Sequence, residues 1–284
     1  MYISCRITKK CYNITMKKLI LVIMLSFFAL NAYAARFYDP NKTKIIITVT
    51  NSNIGELVNV IGGDKVDVVI MLPPISCPAS FDATPSVIER VEKSNLILSM
   101  KWEKWVRKIK MEAGDIGKIY KTMETEGNWM IPHINIRAAE EIKNMLSYMD
   151  SVNAKYYAEN YSEYIYNVNF VAQEINKELI GVYGKKVISN DKIRDFLESF
   201  GLTVIATYGR AEELTAKKLA HLIEEGKKNN VKIVIDNIQS GTATGMDLAK
   251  SLGANHAVIS NFVLGKSYIN TLKDNAARIK KAAL

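Results

Sequence analysis

Three cysteines stand among the 284 residues, and two of them, Cys5 and Cys11, fall in an N-terminal stretch that reads as a leader. Without that stretch Cys77 is alone, so no intramolecular disulfide forms. A lone thiol in an oxidising compartment points to burial or a ligand role. Nor is there an apolar run long enough to span a bilayer: residues 19–30 make 12, where about 20 are needed. Internal repeats and low-complexity segments are absent. So are the short signatures of common enzyme classes: there is no Gly-x-Ser-x-Gly elbow, no Gly-x-Gly-x-x-Gly turn, no P-loop and no His-Glu-x-x-His pair.

What the N-terminus does contain is a secretory signal in three parts. Lys17 and Lys18 form a basic region, 19–30 an apolar region, and Asn31-Ala32-Tyr33-Ala34-Ala35 an Ala-x-Ala cleavage site. Cleavage is expected after Ala34, and Met16 sits where such a signal normally begins. No cysteine follows the cleavage site, which argues against a lipid anchor and for a soluble periplasmic protein. Cleavage removes five basic and no acidic side chains, leaving 33 basic against 29 acidic in 250 residues, so the formal +9 falls to +4. A charge this mild is no footprint for nucleic acid. The remaining length suffices for two lobes around a sizeable core.

Short β-rich runs alternate with helical patterns. KIIITVT at 44–50 reads as a buried strand, 51–61 as a helix, and VDVVIML at 66–72 as a strand stopped by Pro73-Pro74. A helix at 85–93, with Thr84 at its N-cap, and a strand at 95–100 follow. The same grammar returns later. Strands at 186–189, 203–206, 231–235 and 257–260 interleave with helices at 191–200, 215–228, 246–252 and 268–283. Such alternation implies βαβ units and a mostly parallel sheet in each half. Between the halves lies one long helix, 151–181. Ala154, Tyr161, Val168 and Ile175, with Ala158, Ile165, Ala172 and Leu179, form its apolar stripe, and Asp150 or Ser151 caps its start. A single stripe flanked by α/β patterns suits a spine packed on both lobes better than a coiled coil. The expected architecture is α/β, with an N-terminal lobe at 35–150, the spine at 151–181 and a C-terminal lobe at 182–284.

Open parallel sheets bind ligands beyond the carboxyl ends of their strands. After 66–72 comes PPISCPASFD, with Cys77 and Asp82; after the apolar piece 129–132 comes His133. After 186–189 come Asn190 and Asp191, and after 231–235 come Asp236, Asn237 and Gln239. A cleft between lobes would gather thiol, imidazole, carboxylate and amide as ligands for a divalent metal, and sulfur with imidazole favours zinc. Each residue also has a plainer reading: His133, Asn190 and Asp236 as helix caps, Cys77 as a small buried hydrophobe. His221 sits in a charged, solvated helix and His256 in a short surface turn. A Cys77–His133 pair would make a thiol hydrolase, disfavoured by Pro78 and the lack of a third group. Gly241 to Gly245 reads as a plain loop-to-helix turn rather than an anion cradle.

Several stretches carry a family likeness: ITVTNSNIGELVNVIGGDKVDV at 47–68, NLILSMKWEKW at 95–105, WMIPHINI at 129–136, FLESFGL at 196–202 and KIVIDNIQS at 232–240. They resemble the zinc/manganese-type periplasmic solute-binding proteins of ABC importers, over nearly all of 35–284. The resemblance implies two α/β lobes joined by one long helix, with modest lobe motion. It implies capture of a divalent metal ion, zinc first with Mn or Fe as alternatives, and delivery to an inner-membrane permease and its ATPase by a monomer that is not an enzyme. By position, His133 matches the histidine of a PHxW-like motif and Asp236 the carboxylate opening an EPQ-like segment, which makes both metal ligands. The histidine of a DPHxYE-like motif falls at Ala79, with Cys77 two positions earlier as its substitute. A further family histidine falls at Asn190, a neutral oxygen donor. Residues 109–128, where many zinc-type members carry a His-rich loop, hold no histidine. With two imidazoles missing, three outcomes stay open: a Cys77/His133/Asp236 site for zinc or another thiophilic metal, a cleft for a metal already held by a chelator, or a scaffold turned to another use such as adhesion.

Overall fold

The computed structural model describes residues 44–76, 81, 84–113, 119–265 and 267–284. The leader, its cleavage site and Cys77 lie outside the described residues. Lys44–Leu284 forms one compact unit. Its first half runs β1 (Ile45–Val49), α1 (Ser52–Gly62), β2 (Val66–Ile70), α2 (Pro85–Glu92), β3 (Leu96–Met100), α3 (Val106–Ala113) and β4 (Ile119–Met123). Then come α4 (Pro132–Met149) and α5 (Ala154–Glu178). The second half runs β5 (Lys186–Asn190), α6 (Arg194–Ser199), β6 (Thr203–Tyr208), α7 (Ala216–Lys228), β7 (Ile233–Asn237), α8 (Ala243–Leu252), β8 (Asn255–Ile259) and α9 (Tyr268–Ala283).

The strands form two four-stranded sheets, ordered β2-β1-β3-β4 and β6-β5-β7-β8, and every pairing is parallel. Parallel strands are covered on both faces and so read as continuous apolar runs. β3 (LILSM) and β7 (IVIDN) are buried at every position. The helix α1 begins where Asn51 Oδ1 accepts the N–H groups of Asn53 and Ile54, satisfying donors that have no partner inside the helix. It buries Ile54, Leu57, Val58 and Ile61 on one face. It ends at Gly63, whose φ of +52° and close approach to Tyr156 leave no room for a Cβ.

The spine helix α5 has 25 residues, about 37 Å of length at 1.5 Å per residue. It buries Tyr157, Tyr164, Val168, Val171 and Ile175. The stripe is therefore shifted from the expected one: Ala158 is exposed, and two tyrosines take the core positions. Each buried phenol has a partner, Tyr157 donating to Asp150 Oδ2 at 2.7 Å and Tyr164 to Asn135 Oδ1 at 2.6 Å. Asp150 thus serves the spine through Tyr157 and Asn153 rather than as its cap. The buried face of α5 belongs to one continuous core that takes in Ile47 and Leu96 of the first sheet and Val187 and Ile233 of the second. The spine itself packs on α1, α4 and α9, and through that shared core it is joined to both sheets. Two elements were not expected from the sequence, α3 and β4, and α4 begins at Pro132 rather than near Ile136. No helix among the described residues is long and apolar enough to cross a membrane.

Candidate functional site

A polar seam joins the carboxyl ends of the two sheets. Asn51 and Asn53 stand on it, directly after β1. Asn51 Nδ2 donates to Glu103 Oε1 at 3.2 Å, and Glu103 Oε2 accepts the Met100 N–H at 2.7 Å. Desolvation pushes the Glu103 carboxyl above its usual range, against the pull of those donors. Asn53 crosses to the second half: Nδ2 donates to Asn261 O at 3.1 Å, and Oδ1 accepts the Val263 N–H at 2.8 Å. From the other side Gln239, just beyond β7, donates to Pro74 O at 2.8 Å and to Ser260 Oγ at 2.9 Å, and accepts from Asn261 N at 3.1 Å. Asn128 donates to Lys192 O at 3.1 Å, and the Tyr268 hydroxyl to Met130 O at 2.9 Å. The segment leading into α4 is thereby held against the second half.

His133 is the second residue of α4, exposed, and three residues beyond Met130. Asn190 closes β5 and is 1% exposed. Its Oδ1 accepts from Lys192 N at 3.1 Å and Ser240 Oγ at 3.3 Å, while Nδ2 donates to Tyr208 O at 3.3 Å. Asn190 caps its own turn, and the Lys192 carbonyl in that turn is the one Asn128 holds. The start of α4, with His133, and the Asn190 turn are thus neighbours. Pro74, gripped by Gln239, leads the chain toward Cys77, which lies outside the described residues.

Asp236 has a different setting. It is fully buried within β7, Oδ1 accepting from the Tyr208 hydroxyl at 2.6 Å and Oδ2 lying 2.7 Å from His256 Nε2. Two residues earlier, Val234 packs with Leu222 of α7 and Leu248 of α8. Strand alternation sends Asp236 into that same layer, away from the face of Ile233 and Ile235. Gly245 of α8 closes over it; a Cβ there would stand 2.1 Å from Asp236 Oδ2. Burial raises both the Asp236 carboxyl and, far more, the Tyr208 phenol, which stays protonated as the donor. The carboxylate that the resemblance assigns to metal therefore has both oxygens engaged in the outer layer of the second sheet. His256, expected in a surface turn, is a β8 residue and this acid's partner, a correction to the sequence reading. His221 is exposed on α7, as expected.

Two further residues gain weight at the seam, Asn261 and Ser52. Asn261 Oδ1, Ser52 Oγ and Asn237 Oδ1 are buried with no hydrogen-bond partner among the described residues. Ser52 adjoins Asn53, Asn261 is held by Asn53 and Gln239, and Asn237 donates to the Ser240 that also serves Asn190. An unpartnered buried polar atom costs about 1–3 kcal/mol. Three at one seam are expensive as packing and useful as ligand contacts. Their common signal in the sequence is a place at or just beyond a strand's carboxyl end. Among the described residues no group of three or more His, Cys, Asp or Glu is arranged to hold a metal. The seam presents neutral oxygens, and the segment leading into α4, the helix that carries His133, is held against it through Asn128 and Met130.

The family model described as zinc-uptake complex component A, periplasmic (ZnuA), matches residues 47–282. The manganese ABC transporter substrate-binding lipoprotein PsaA of Streptococcus mitis is 25% identical over 248 residues, covering 76% of this chain and 80% of that relative. The high-affinity zinc uptake system protein ZnuA of Bacillus subtilis is 23% identical over 286 residues, covering 87% of this chain and 90% of the relative. Among solved structures, a crystal structure of ZnuA matches with a TM-score of 0.74 at 21% identity, over 85% of this chain and 100% of that one. The Mn-bound periplasmic metal binding protein of Candidatus Liberibacter asiaticus matches with a TM-score of 0.75 at 17% identity, over the same shares. At these identities the structural likeness speaks to fold alone. The family model speaks to descent, and by it the chain belongs to the family of the periplasmic zinc-uptake complex component A.

Proposed function

We propose that this chain is the periplasmic solute-binding component of an ABC importer. It captures a divalent transition metal at the seam and passes it to an inner-membrane permease and its ATPase. The reading is carried by the buried oxygens of Ser52, Asn237 and Asn261, unpartnered among the described residues, on the seam that also holds the segment leading into α4. Relatives named for zinc and for manganese transport support it. Zinc is the favoured cargo, because imidazole and thiolate are among its preferred donors. The proposed ligands are His133 and Cys77, with the amide oxygen of Asn190 as a weaker donor. Asp236 backs the site by fixing Tyr208 and His256. Export with cleavage after Ala34, and action as a monomer without catalysis, complete the reading.

One observation favours a second cargo. Among the described residues, Glu103 and Asp236 are both buried and hydrogen-bonded, so neither carboxylate faces an incoming cation. A metal already wrapped in an anionic chelator needs less charge from the protein. The test is thermal unfolding of the metal-stripped chain with Zn(II), Mn(II), Fe(II), Ni(II), Co(II) and Cu(I), each free and as its citrate complex. A ligand at about a hundredfold over its Kd adds about 2.7 kcal/mol. His133→Ala and Cys77→Ser should each weaken that gain. Stabilisation by the citrate complexes alone selects the chelated cargo, and no stabilisation by either form sinks both.

A further inference from the structure

The sequence around α3 concentrates charge. Residues 101–121 carry seven basic against three acidic side chains. Their excess equals the +4 of the whole 35–284 segment. Lys101, Lys104, Arg107, Lys110 and Lys121 line an open groove of about 440 Å³ between α3 and the edge strand β4. Lys101 is paired with Glu124 and Glu126, and Lys110 sits over the Tyr120 ring at 5.2 Å. Lys104, Arg107 and Lys121 are exposed and make no ion pair among the described residues. The acid beneath them, Glu103, is turned inward to Asn51 and the Met100 N–H. Within α3, helical spacing puts Arg107 and Met111 on the side opposite buried Ile109, and Lys104 is exposed just before the helix. Met111 is 78% exposed and Trp102 53%.

We propose that this face docks onto an anionic phospholipid surface, with headgroup phosphates entering the α3–β4 groove and Trp102 and Met111 entering the interfacial layer. Charge complementarity selects an anion. The flanking apolar side chains select a lipid, because a free phosphate gains nothing from them. Tryptophan prefers the water–lipid boundary, where its ring is sheltered and its N–H stays wet. Basic residues interleaved with Trp and other apolar side chains are the composition of interfacial elements. The attraction of each cation fades within a Debye length, so the grip is reversible and sensitive to salt. The inference does not depend on what the seam carries.

The experiment compares the full chain with Lys104→Gln/Arg107→Gln/Lys121→Gln and with Trp102→Ala, so the apolar run of the leader contributes equally to each. Cosedimentation is measured with phosphatidylcholine vesicles, with and without phosphatidylglycerol, at low and high salt. The triple variant should bind the phosphatidylglycerol vesicles about a hundredfold more weakly than the parent at low salt. The difference should vanish at high salt and on phosphatidylcholine alone. Trp102→Ala should weaken binding severalfold, and the parent's tryptophan emission should shift to the blue on binding. Equal binding by parent and triple variant overturns the proposal. So does a difference that persists without phosphatidylglycerol, or one seen only with soluble polyglutamate and not with vesicles.

Discussion

β3 and β7 hold the same rank in two strand orders of one plan, β2-β1-β3-β4 and β6-β5-β7-β8. Each is associated with a buried carboxylate, Glu103 three residues past β3 and Asp236 within β7. Burial pushes both acids above their usual range. Their partners differ. Glu103 takes a backbone N–H from the end of its own strand and the side chain that caps α1. Asp236 takes side chains from β6 and β8, on either side of the sheet centre. The first acid ties a turn to a helix start at the seam; the second ties strands together behind it. Past the end of a strand a buried carboxylate fastens a turn; within the strand it fastens neighbouring strands.

Breaking the tie between strands should cost most. Asp236→Ala takes the short acceptor from the Tyr208 hydroxyl, leaving it only Ile235 O at 3.4 Å, and strips the half-buried His256 ring of its carboxylate, a loss of about 3 kcal/mol in urea unfolding. Glu103→Ala frees one backbone N–H and one amide, about 1–3 kcal/mol. Equal losses would erase the distinction between the two acids. Next comes the seam itself. Asn53→Ala removes both bonds to the Asn261–Val263 turn, about 1–2 kcal/mol in total, and should speed hydrogen exchange at the Val263 N–H that Asn53 Oδ1 holds. Unchanged protection there would mean that the two halves are held together elsewhere.

The smallest effect is a slope. The Glu103 pKa is raised in the folded state. Its contribution is therefore fully present below the unfolded carboxylate pKa and is lost as pH rises through the folded value. Glu103→Gln removes that titration. The stability of the parent relative to Glu103→Gln, followed as Tm against pH, should fall from the ordinary carboxylate range upward through the raised value. A difference that grows with pH would contradict the desolvation account.

Most of the strands were legible because parallel sheets demand continuous apolar runs, and KIIITVT and VDVVIML supply them. α3 was not, because KWEKWVRKIK is dominated by cations and Ile109 is its fully buried anchor. β4 was missed because an edge strand exposes Lys121 and Thr122 and looks like a loop. The long helix is legible, but its buried stripe runs through Tyr157 and Tyr164 instead of Ala158 and Tyr161, because a heptad pattern leaves the exact face open by about one position. Tyr157 and Tyr164 belong inside because each finds an acceptor for its hydroxyl. At the site, His133 and Asn190 were visible as residues following apolar runs. Asn261 and Ser52 were not, because an unpartnered oxygen is a property of surroundings.

The sequence by itself determined the alternation of strands and helices, the long connecting helix and the family likeness, all of which rest on local periodicity and short motifs. Only the tertiary structure decided that Asp236 meets His256, 20 residues away, while Asn237 next to it has an oxygen at the seam with no partner among the described residues. The physical reason is the strand's twofold alternation: adjacent residues face opposite layers, and which layer becomes the cleft depends on packing that no local pattern records.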